Sequence, residues 1–263
     1  MYAVCHHVKK IAFVASFIIT SVVHASHYDD GLMAYALADY QVAAKHFQQA
    51  SLDGEAGAGH MLMRLYQEGK GVPSDDAEAF RWTKKAAENG IAVAQFELAN
   101  RYVSGDGTAV NAKQAFQWYQ QAARQGHHVA YHKLAGFYET GLVVSADKQE
   151  AQRLYNIAAS EYDVHAQKGH AASQNTLATM YEQGKGMKAN MARALAWYHK
   201  SAMQDYAEAQ FNLGRLLAGA DGVEQNIEEA AYWLHHAANQ GLEKAKEALV
   251  ALKQAHGTSL AMM

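Results

Sequence analysis

Cysteine and proline are nearly absent from this chain of 263 residues. The one cysteine, Cys5, precedes an apolar run near the N-terminus, and the one proline is Pro73. A single cysteine cannot form an internal disulfide, so the burial of apolar surface has to hold the fold together. Because half of the residues are apolar and helix-breaking proline is so rare, the composition predicts helices throughout.

Long hydrophobic runs are also lacking. The most apolar stretch, Ile11 to Val23, is shorter than the ~20 residues that a membrane-spanning helix needs. It follows a short basic leader and ends in small residues at Val23 and Ala25, the pattern of a secretory signal. We therefore expect a signal peptide at 1–25 that is cleaved after Ala25, a periplasmic or secreted bacterial protein, and no stable membrane insertion after cleavage.

Positive charge is scarce as well. The chain has 23 lysines and arginines against 26 acids, a formal net charge of −3, and the leader removes two of the lysines. Nucleic acids and anionic membranes both select a concentrated positive patch. The charge balance therefore argues against either of them as the partner.

A repeat fills the rest of the sequence. The segment "AFRWTKKAAENG" at 79–90 returns as "AFQWYQQAARQG" at 115–126, as "ALAWYHKSAMQD" at 194–205 and as "AAYWLHHAANQG" at 230–241. A weaker copy occupies 151–160, so the period is about 36 residues with one of about 43. The apolar positions of each copy follow helical spacing, which predicts two helices per unit. We expect the repeat tryptophans, Trp118 among them, to lie in the core.

The segment "YQEGKGVPSDD" at 66–76 looks like part of a phosphate-binding loop. Such a loop occurs once and follows a strand, whereas this one recurs between two helices. We interpret its first glycine as a helix C-cap. The polar residue behind it in each repeat is predicted to be an N-cap with a capping-box partner three positions on. These N-caps are Asp75, Asn111, Asp147, Asn190 and Asn226, and the partners are Glu78, Gln114, Glu150 and Glu229.

The pattern A-x-x-x-L-x-x-x-Y-x-x-G-x-G, followed by A-x-x-W-Y-x-x-A-A-x-x-G, resembles the Sel-one-like repeat (SLR) family, a relative of the tetratricopeptide repeat. The resemblance covers about residues 28–241. It implies an all-α fold, a right-handed α-solenoid of helix-turn-helix repeats. We expect one solenoid over 26–256, with a shortened opening unit at 28–54, repeats at about 55–90, 91–126, 127–169, 170–205 and 206–241, a capping helix at 242–255, and a loose tail at 257–263.

Catalytic motifs are missing from the sequence. It contains no G-x-S-x-G, H-E-x-x-H, EF-hand or Cys–His arrangement. Some secreted SLR proteins are cysteine-rich and have been linked to β-lactam binding, but this chain lacks those cysteines. We expect no catalytic residues and no cofactor. Two alternatives stay open: a cell-wall or β-lactam-related hydrolase, and a structural component of an envelope assembly.

Histidine is abundant, with 15 in the chain. His128 and His132 are spaced to share one helical face, and His165 or His170 could add a third metal ligand. The simpler interpretation is that His127 and His128 occupy the exposed start of a helix. We therefore expect no metal site.

One repeat is longer than the others by about two helical turns, inserted between Ala159 and Gly169. The insertion keeps the buried face in register and lengthens the second helix by roughly 10 Å. Either this extension forms a functional rim near Tyr162 and His165, or it is neutral variation at a tolerant helix end.

The leading functional prediction is a monomeric, non-catalytic scaffold that holds a protein or peptide on the concave face of the solenoid. In the related tetratricopeptide fold, the first helix of each unit lines that face. Arginine there suits carboxylates, and asparagine suits an extended peptide backbone. The two phenylalanines of the set either contact the partner or belong to the core. The predicted binding residues, two and six positions before the repeat tyrosine, are Arg64, Asn100, Arg215, His60, Phe96, His132, Asn175 and Phe211.

Overall fold

The computed structural model describes residues 26–55 and 57–256. This part of the chain contains thirteen α-helices and no strand. It divides into two compact units, with the boundary between Val110 and Asn111. The predicted signal peptide at 1–25 and the predicted tail at 257–263 lie outside the described residues.

The first unit contains five helices, and each packs against the next along the chain. Its core forms where the small face of one helix meets large side chains of its neighbour, with Phe47, Leu62, Leu65 and Trp82 at the centre. The helices are α1 (His27–Ala36), α2 (Tyr40–Leu52), α3 (Ala58–Glu68), α4 (Asp76–Glu88) and α5 (Ala92–Ser104).

The second unit repeats this arrangement with eight helices, again packed consecutively. The predicted all-α solenoid of helix-turn-helix repeats is confirmed. The helices are α6 (Ala112–Arg124), α7 (His128–Thr140), α8 (Lys148–Gln167), α9 (Ala171–Gln183), α10 (Met191–Ala202), α11 (Ala207–Leu217), α12 (Ile227–Asn239) and α13 (Glu243–His256).

The loop between paired helices is a turn, as predicted. Gly69 ends α3 in the left-handed conformation, with φ 64°. The second glycine, Gly71, serves a different purpose, because a Cβ there would collide with the backbone of Tyr40 at the start of α2. Gly107 and Gly186 approach the preceding second helix in the same way. The glycine pair therefore ends one helix and then lets the loop touch its neighbour.

The predicted N-caps are confirmed, but the predicted capping-box partners Glu78, Glu150 and Glu229 are wrong. The carboxylate of Asp75 accepts the backbone N–H groups of Ala77 and Glu78 at 2.9 and 3.0 Å. Its own N–H, which a capping box would offer to Glu78, donates to the carbonyl of Tyr66 at 3.1 Å. Glu78 instead accepts the indole N–H of Trp82 at 3.1 Å. The same hairpin-closing bond joins Asp147 to Tyr138, Asn190 to Tyr181, and Asn226 to Leu217.

The tryptophan prediction is correct for two of the four repeats that carry one. Trp82 and Trp233 are buried, whereas Trp118 and Trp197 are half-buried. The residue that follows this position is buried in every repeat, at 2% exposed for Tyr119. The full set is Thr83, Tyr119, Tyr155, Tyr198 and Leu234. The centre of the helix–helix contact is therefore one residue beyond the predicted anchor.

The insertion lengthens α8 to 20 residues, against 13 for α4 and α6, as predicted. It does not form a free rim of aromatic side chains, because Tyr162 is only 6% exposed. Its ring meets those of His128 and His132 edge-on, at centroid distances of 5.2 and 6.1 Å. The two added turns are part of the α7–α8 packing.

A buried glutamine links successive repeats at three places. The Gln174 amide donates to the carbonyl of Ala166 in the last turn of α8, at 3.0 Å, and the same carbonyl also accepts the backbone N–H of Gly169 at 3.0 Å. Gln95 bonds Ala87 and Gln210 bonds Ala202 in the same way. The recurring "AVAQ", "AASQ" and "AEAQ" could have revealed this contact from the sequence.

Candidate functional site

The first helices of the second unit present a cluster of charged and amide side chains, which we call the polar face. It lies on α7, α9 and α11 and the turn after α9. Its members are joined across successive repeats by hydrogen bonds and ion pairs. They are Glu139, Asn175, Glu182, Lys185, Asn212 and Arg215.

Glu139 connects the core of one repeat to the turn of the next. It accepts the hydroxyl of buried Tyr155 at 2.8 Å, and the Lys185 ammonium lies 3.0 Å from the same oxygen. Partial burial opposes its ionisation, but these two contacts hold the pKa of Glu139 below its usual value. Burial, together with the bond to Glu139, raises the pKa of Tyr155. The hydroxyl therefore stays a donor and keeps the carboxylate in place.

Glu182 repeats this arrangement in the next hairpin. It accepts the hydroxyl of Tyr198 at 2.8 Å and the guanidinium of Arg215 at 2.7 Å. The Tyr198 hydroxyl also lies 2.8 Å from that of Thr179, two residues before the repeat tyrosine. The predicted binding residue Arg215 is thus ion-paired, with 41% of its side chain exposed.

The predicted Asn175 lies beside an asparagine that the sequence argument did not include. Asn212 donates its amide to the Asn175 side-chain carbonyl at 3.0 Å, across α9 and α11. The pair is half-buried. Its other amide groups supply both a donor and an acceptor, which is the complement of an extended peptide backbone.

His132 and Phe211 occupy the same repeat position but lie mostly in the packing. Burial, and next the charges of Lys133 and Lys185, lower the pKa of His132 to about 4. Its ring contacts Tyr155 at 5.1 Å. Phe211 packs against the α11–α13 core under the ammonium of Lys244, which lies 4.6 Å from the ring centroid. The possibility that these rings belong to the core is favoured over their being ligand contacts.

In the first unit, the predicted residues lie on α3 and α5. Arg64 is exposed and shares the carboxylate of Glu68, at 3.5 Å, with Lys70 at 2.7 Å. His60, Phe96 and Asn100 are half-buried. Burial, and next the charge of Arg64, lower the pKa of His60. Arg64 is therefore the most accessible of these four for a partner.

Several histidines of the second unit lie close together, but they do not form the His128–His132 pair that the sequence suggested. His128 stacks on His165 at a centroid distance of 4.9 Å, and His165 stacks on His170 at 5.2 Å. His127 lies 6.0 Å from His128, and both are half-buried, so the predicted exposed helix start is wrong. Burial lowers the pKa of both histidines. His132 faces Tyr155 and Tyr162 rather than completing a metal set.

The lengthened α8 forms one wall of an open groove of about 660 Å³ beside α10. Its lining is polar, with Asp163 on one side and Arg193 and Lys188 on the other. Arg193 is held by the hydroxyl of Tyr181 at 3.2 Å. This groove is a second accessible surface, distinct from the polar face.

The sequence argument missed Glu139 and Glu182, the residues that organise the polar face. Both directly follow the repeat tyrosine, and each lies 16 positions before the tyrosine that it binds. The one available signal was that "YE" recurs at 138–139 and 181–182.

The family follows from a comparison with known repeats. The Sel1 repeat model matches residues 24–55, 56–91, 92–127, 128–163, 171–206 and 207–242. The chain belongs to the Sel1 repeat family. Proteins with Sel1 repeats mediate protein–protein interactions.

Solved structures agree with this assignment. A Sel1 repeat protein from Oxalobacter formigenes is 31% identical, over 86% of this chain and 89% of that one, with a TM-score of 0.64. The c5321 protein, a protective antigen of uropathogenic Escherichia coli with an SLR fold, is 28% identical over 88% of this chain and 57% of its own, with a TM-score of 0.50. No curated protein matches the chain. In the described part of the chain, no helix has the length and apolar character needed to cross a membrane.

Proposed function

We propose that this Sel1 repeat protein is an exported, non-catalytic scaffold that holds a protein or peptide partner on the first-helix surfaces of its repeats. In the second unit the partner contacts the polar face. The observation that carries the proposal is the double anchoring of this face, in which Glu139 and Glu182 each bind a buried tyrosine and a cation from the next repeat.

Anchored polar groups favour binding because little side-chain freedom is lost when a partner arrives. Glu139 and Arg215 keep 44% and 41% of their side chains exposed while being held in place. The Asn175–Asn212 pair lies between these charges along the chain of repeats and can bond a peptide backbone. The surface therefore suits an extended segment that carries both signs of charge.

Export is supported by the order of basic, apolar and small residues over 1–25. The same leader motivates a periplasmic or extracellular partner. An envelope assembly would use the same surface chemistry, so it differs from a free scaffold in the identity of the partner.

The proposal is tested once crosslinking and mass spectrometry of the exported fraction have identified a partner. Arg215→Ala should weaken its binding about tenfold, because an interfacial charge contact is lost. Arg153→Ala is the matched control, since Arg153 forms an equally short 2.7 Å pair with Glu150 on α8, away from the polar face. Arg64→Ala and Asn100→Ala test the first unit in the same assay.

Equal affinity in Arg215→Ala and wild type would contradict the assignment of the polar face. If Asp163→Asn or Arg193→Ala then weakens binding, the partner occupies the α8–α10 groove instead. Turnover of nitrocefin by the pure protein would contradict the non-catalytic part of the proposal and favour the hydrolase.

A further inference from the structure

The opening hairpin brings together three side chains that are distant in the sequence. His27 and Asp30 lie one turn apart at the start of α1, and His46 lies in the middle of α2. Each offers one potential metal-ligand atom, and these atoms all lie within 4.8 Å of one another. The His46 Nδ1 atom lies 4.0 Å from the Asp30 carboxylate, and the two imidazole centroids are 5.8 Å apart.

We propose that this hairpin binds one divalent transition-metal ion of the zinc class through His27, Asp30 and His46. Two imidazoles and one carboxylate form a ligand set that zinc accepts, with bonds of about 2.0–2.2 Å. Tetrahedral ligands at such bond lengths are separated by about 3.4 Å. Small rotations of the partly exposed side chains therefore close the site.

The backbones that carry the ligands are fixed beside the site. Gly31, which follows Asp30, packs so closely on Phe47, which follows His46, that a Cβ would lie 2.6 Å from the phenyl ring. Phe47 is fully buried, and Tyr28 covers it at a centroid distance of 5.7 Å. The metal would bind side chains on an assembled hairpin, which lowers the cost of ordering them.

An ordinary ion pair explains part of this cluster but not all of it. Asp30 lies in the first turn of α1, where an acid favours the helix dipole, and it faces His46. Neither the interaction of Asp30 with the helix dipole nor its contact with His46 explains why His27 lies beside them. In the described part of the chain, no other group of three acids or histidines converges this closely, and the stacked imidazoles of His128 and His165 lie face to face.

Three protein ligands leave one tetrahedral position for water or for a ligand atom from a partner. The ion would also join the first two helices of the repeat array. This role is independent of the polar face, so the two proposals can fail separately.

The experiment titrates metal-stripped full-length protein, prepared without a histidine tag, with Zn²⁺ against a chromophoric chelator. We expect one Zn²⁺ per chain, with affinity that falls by about tenfold or more in His27→Ala and in His46→Ala. His235→Ala is the control, because His235 is exposed on α12, far along the chain from the site. Zn²⁺ should also raise the melting temperature of wild type and of His235→Ala but not of His46→Ala.

Circular dichroism of the metal-free variants distinguishes a lost ligand from a lost fold. Asp30→Asn, which keeps the side-chain shape, should weaken binding as well. The proposal is overturned if wild type binds no stoichiometric Zn²⁺. It is equally overturned if binding survives in the His27→Ala/His46→Ala double variant, or is lost only in His128→Ala/His165→Ala.

Discussion

Two parts of the second unit solve the same packing problem with different chemistry. In the α7–α8 and α9–α10 hairpins, the buried position of the second helix is a tyrosine, Tyr155 or Tyr198, whose hydroxyl reaches a glutamate on the first helix. In the α11–α12 hairpin the buried residue is Leu234, which packs against Gly214, where a Cβ would lie 2.8 Å from Leu234 Cγ. The position equivalent to the glutamates is Ala218.

The difference shows how this fold can couple its core to its surface. A buried hydroxyl needs a partner, and a glutamate at the end of the first helix supplies one. That glutamate then attracts a cation from the next repeat and so builds the polar face. Where leucine fills the position, no polar partner is needed, and an alanine takes the place of the glutamate.

The largest expected effect on stability distinguishes two neighbouring side chains of α10, Tyr198 and Trp197. Tyr198 is 1% exposed, so Tyr198→Ala should lower the free energy of unfolding by about 3–5 kcal/mol. Trp197→Ala should cost clearly less, because Trp197 is half-buried. Urea denaturation of the two variants measures this, and a greater loss for Trp197→Ala would place the core one residue earlier than the structure does.

The next effect depends on pH and concerns His132. Its folded-state pKa of about 4 lies below the unfolded value of 6.5, so the unfolded chain binds the proton more readily. Stability should therefore fall as pH drops from about 6.5 towards 4, by about 2 kcal/mol at pH 5. His132→Phe should remove this loss, since Phe96 and Phe211 stand at the equivalent positions.

Urea titrations of wild type and His132→Phe at pH 8 and pH 5 measure how far the free energy of unfolding of each falls with pH. His235→Phe, at an exposed position of α12, is the control and should keep the wild-type dependence on pH. An identical loss in His132→Phe and wild type would show that other groups cause the acid sensitivity.

The smallest expected effect on stability concerns the buried tyrosine hydroxyl. The α9–α10 hairpin has this hydroxyl, and the α11–α12 hairpin lacks it. Tyr198→Phe removes the hydroxyl that donates to Glu182 and also contacts the Thr179 hydroxyl, and we expect a loss of about 1–2 kcal/mol because the acceptor Glu182 is charged. Tyr232→Phe, at a tyrosine that is 48% exposed, should change stability by less than about 0.5 kcal/mol. Equal effects in the two variants would mean that the tyrosine–glutamate bond does not stabilise the hairpin.

The sequence predicted the fold because its signals are local and repeated. Glycine C-caps and Asp or Asn N-caps act within a few residues, and each recurs at a fixed spacing. The predicted core position was one residue too early for Trp118 and Trp197, because helical periodicity cannot distinguish adjacent positions near the centre of a broad apolar stripe.

The polar face and the histidine cluster of α1 and α2 were harder to predict, because tertiary packing brings their residues together. Arg215 was correctly placed on α11, but its partner Glu182 lies on another helix and does not share its repeat position. His27 and His46 likewise meet only because α1 and α2 fold back on each other around Phe47. Such contacts depend on helix pairing, which spacing along one helix does not specify.

The most direct test of the proposed binding scaffold is site-specific photo-crosslinking in cells that express the protein. A photoreactive residue replaces Arg215 on the polar face or, as the matched control, Arg153 on the exposed surface of α8. The account predicts that position 215 captures one defined partner, and that position 153 does not capture it. Capture of the same partner from position 153 alone, or equally from both positions, would contradict the assignment of the polar face.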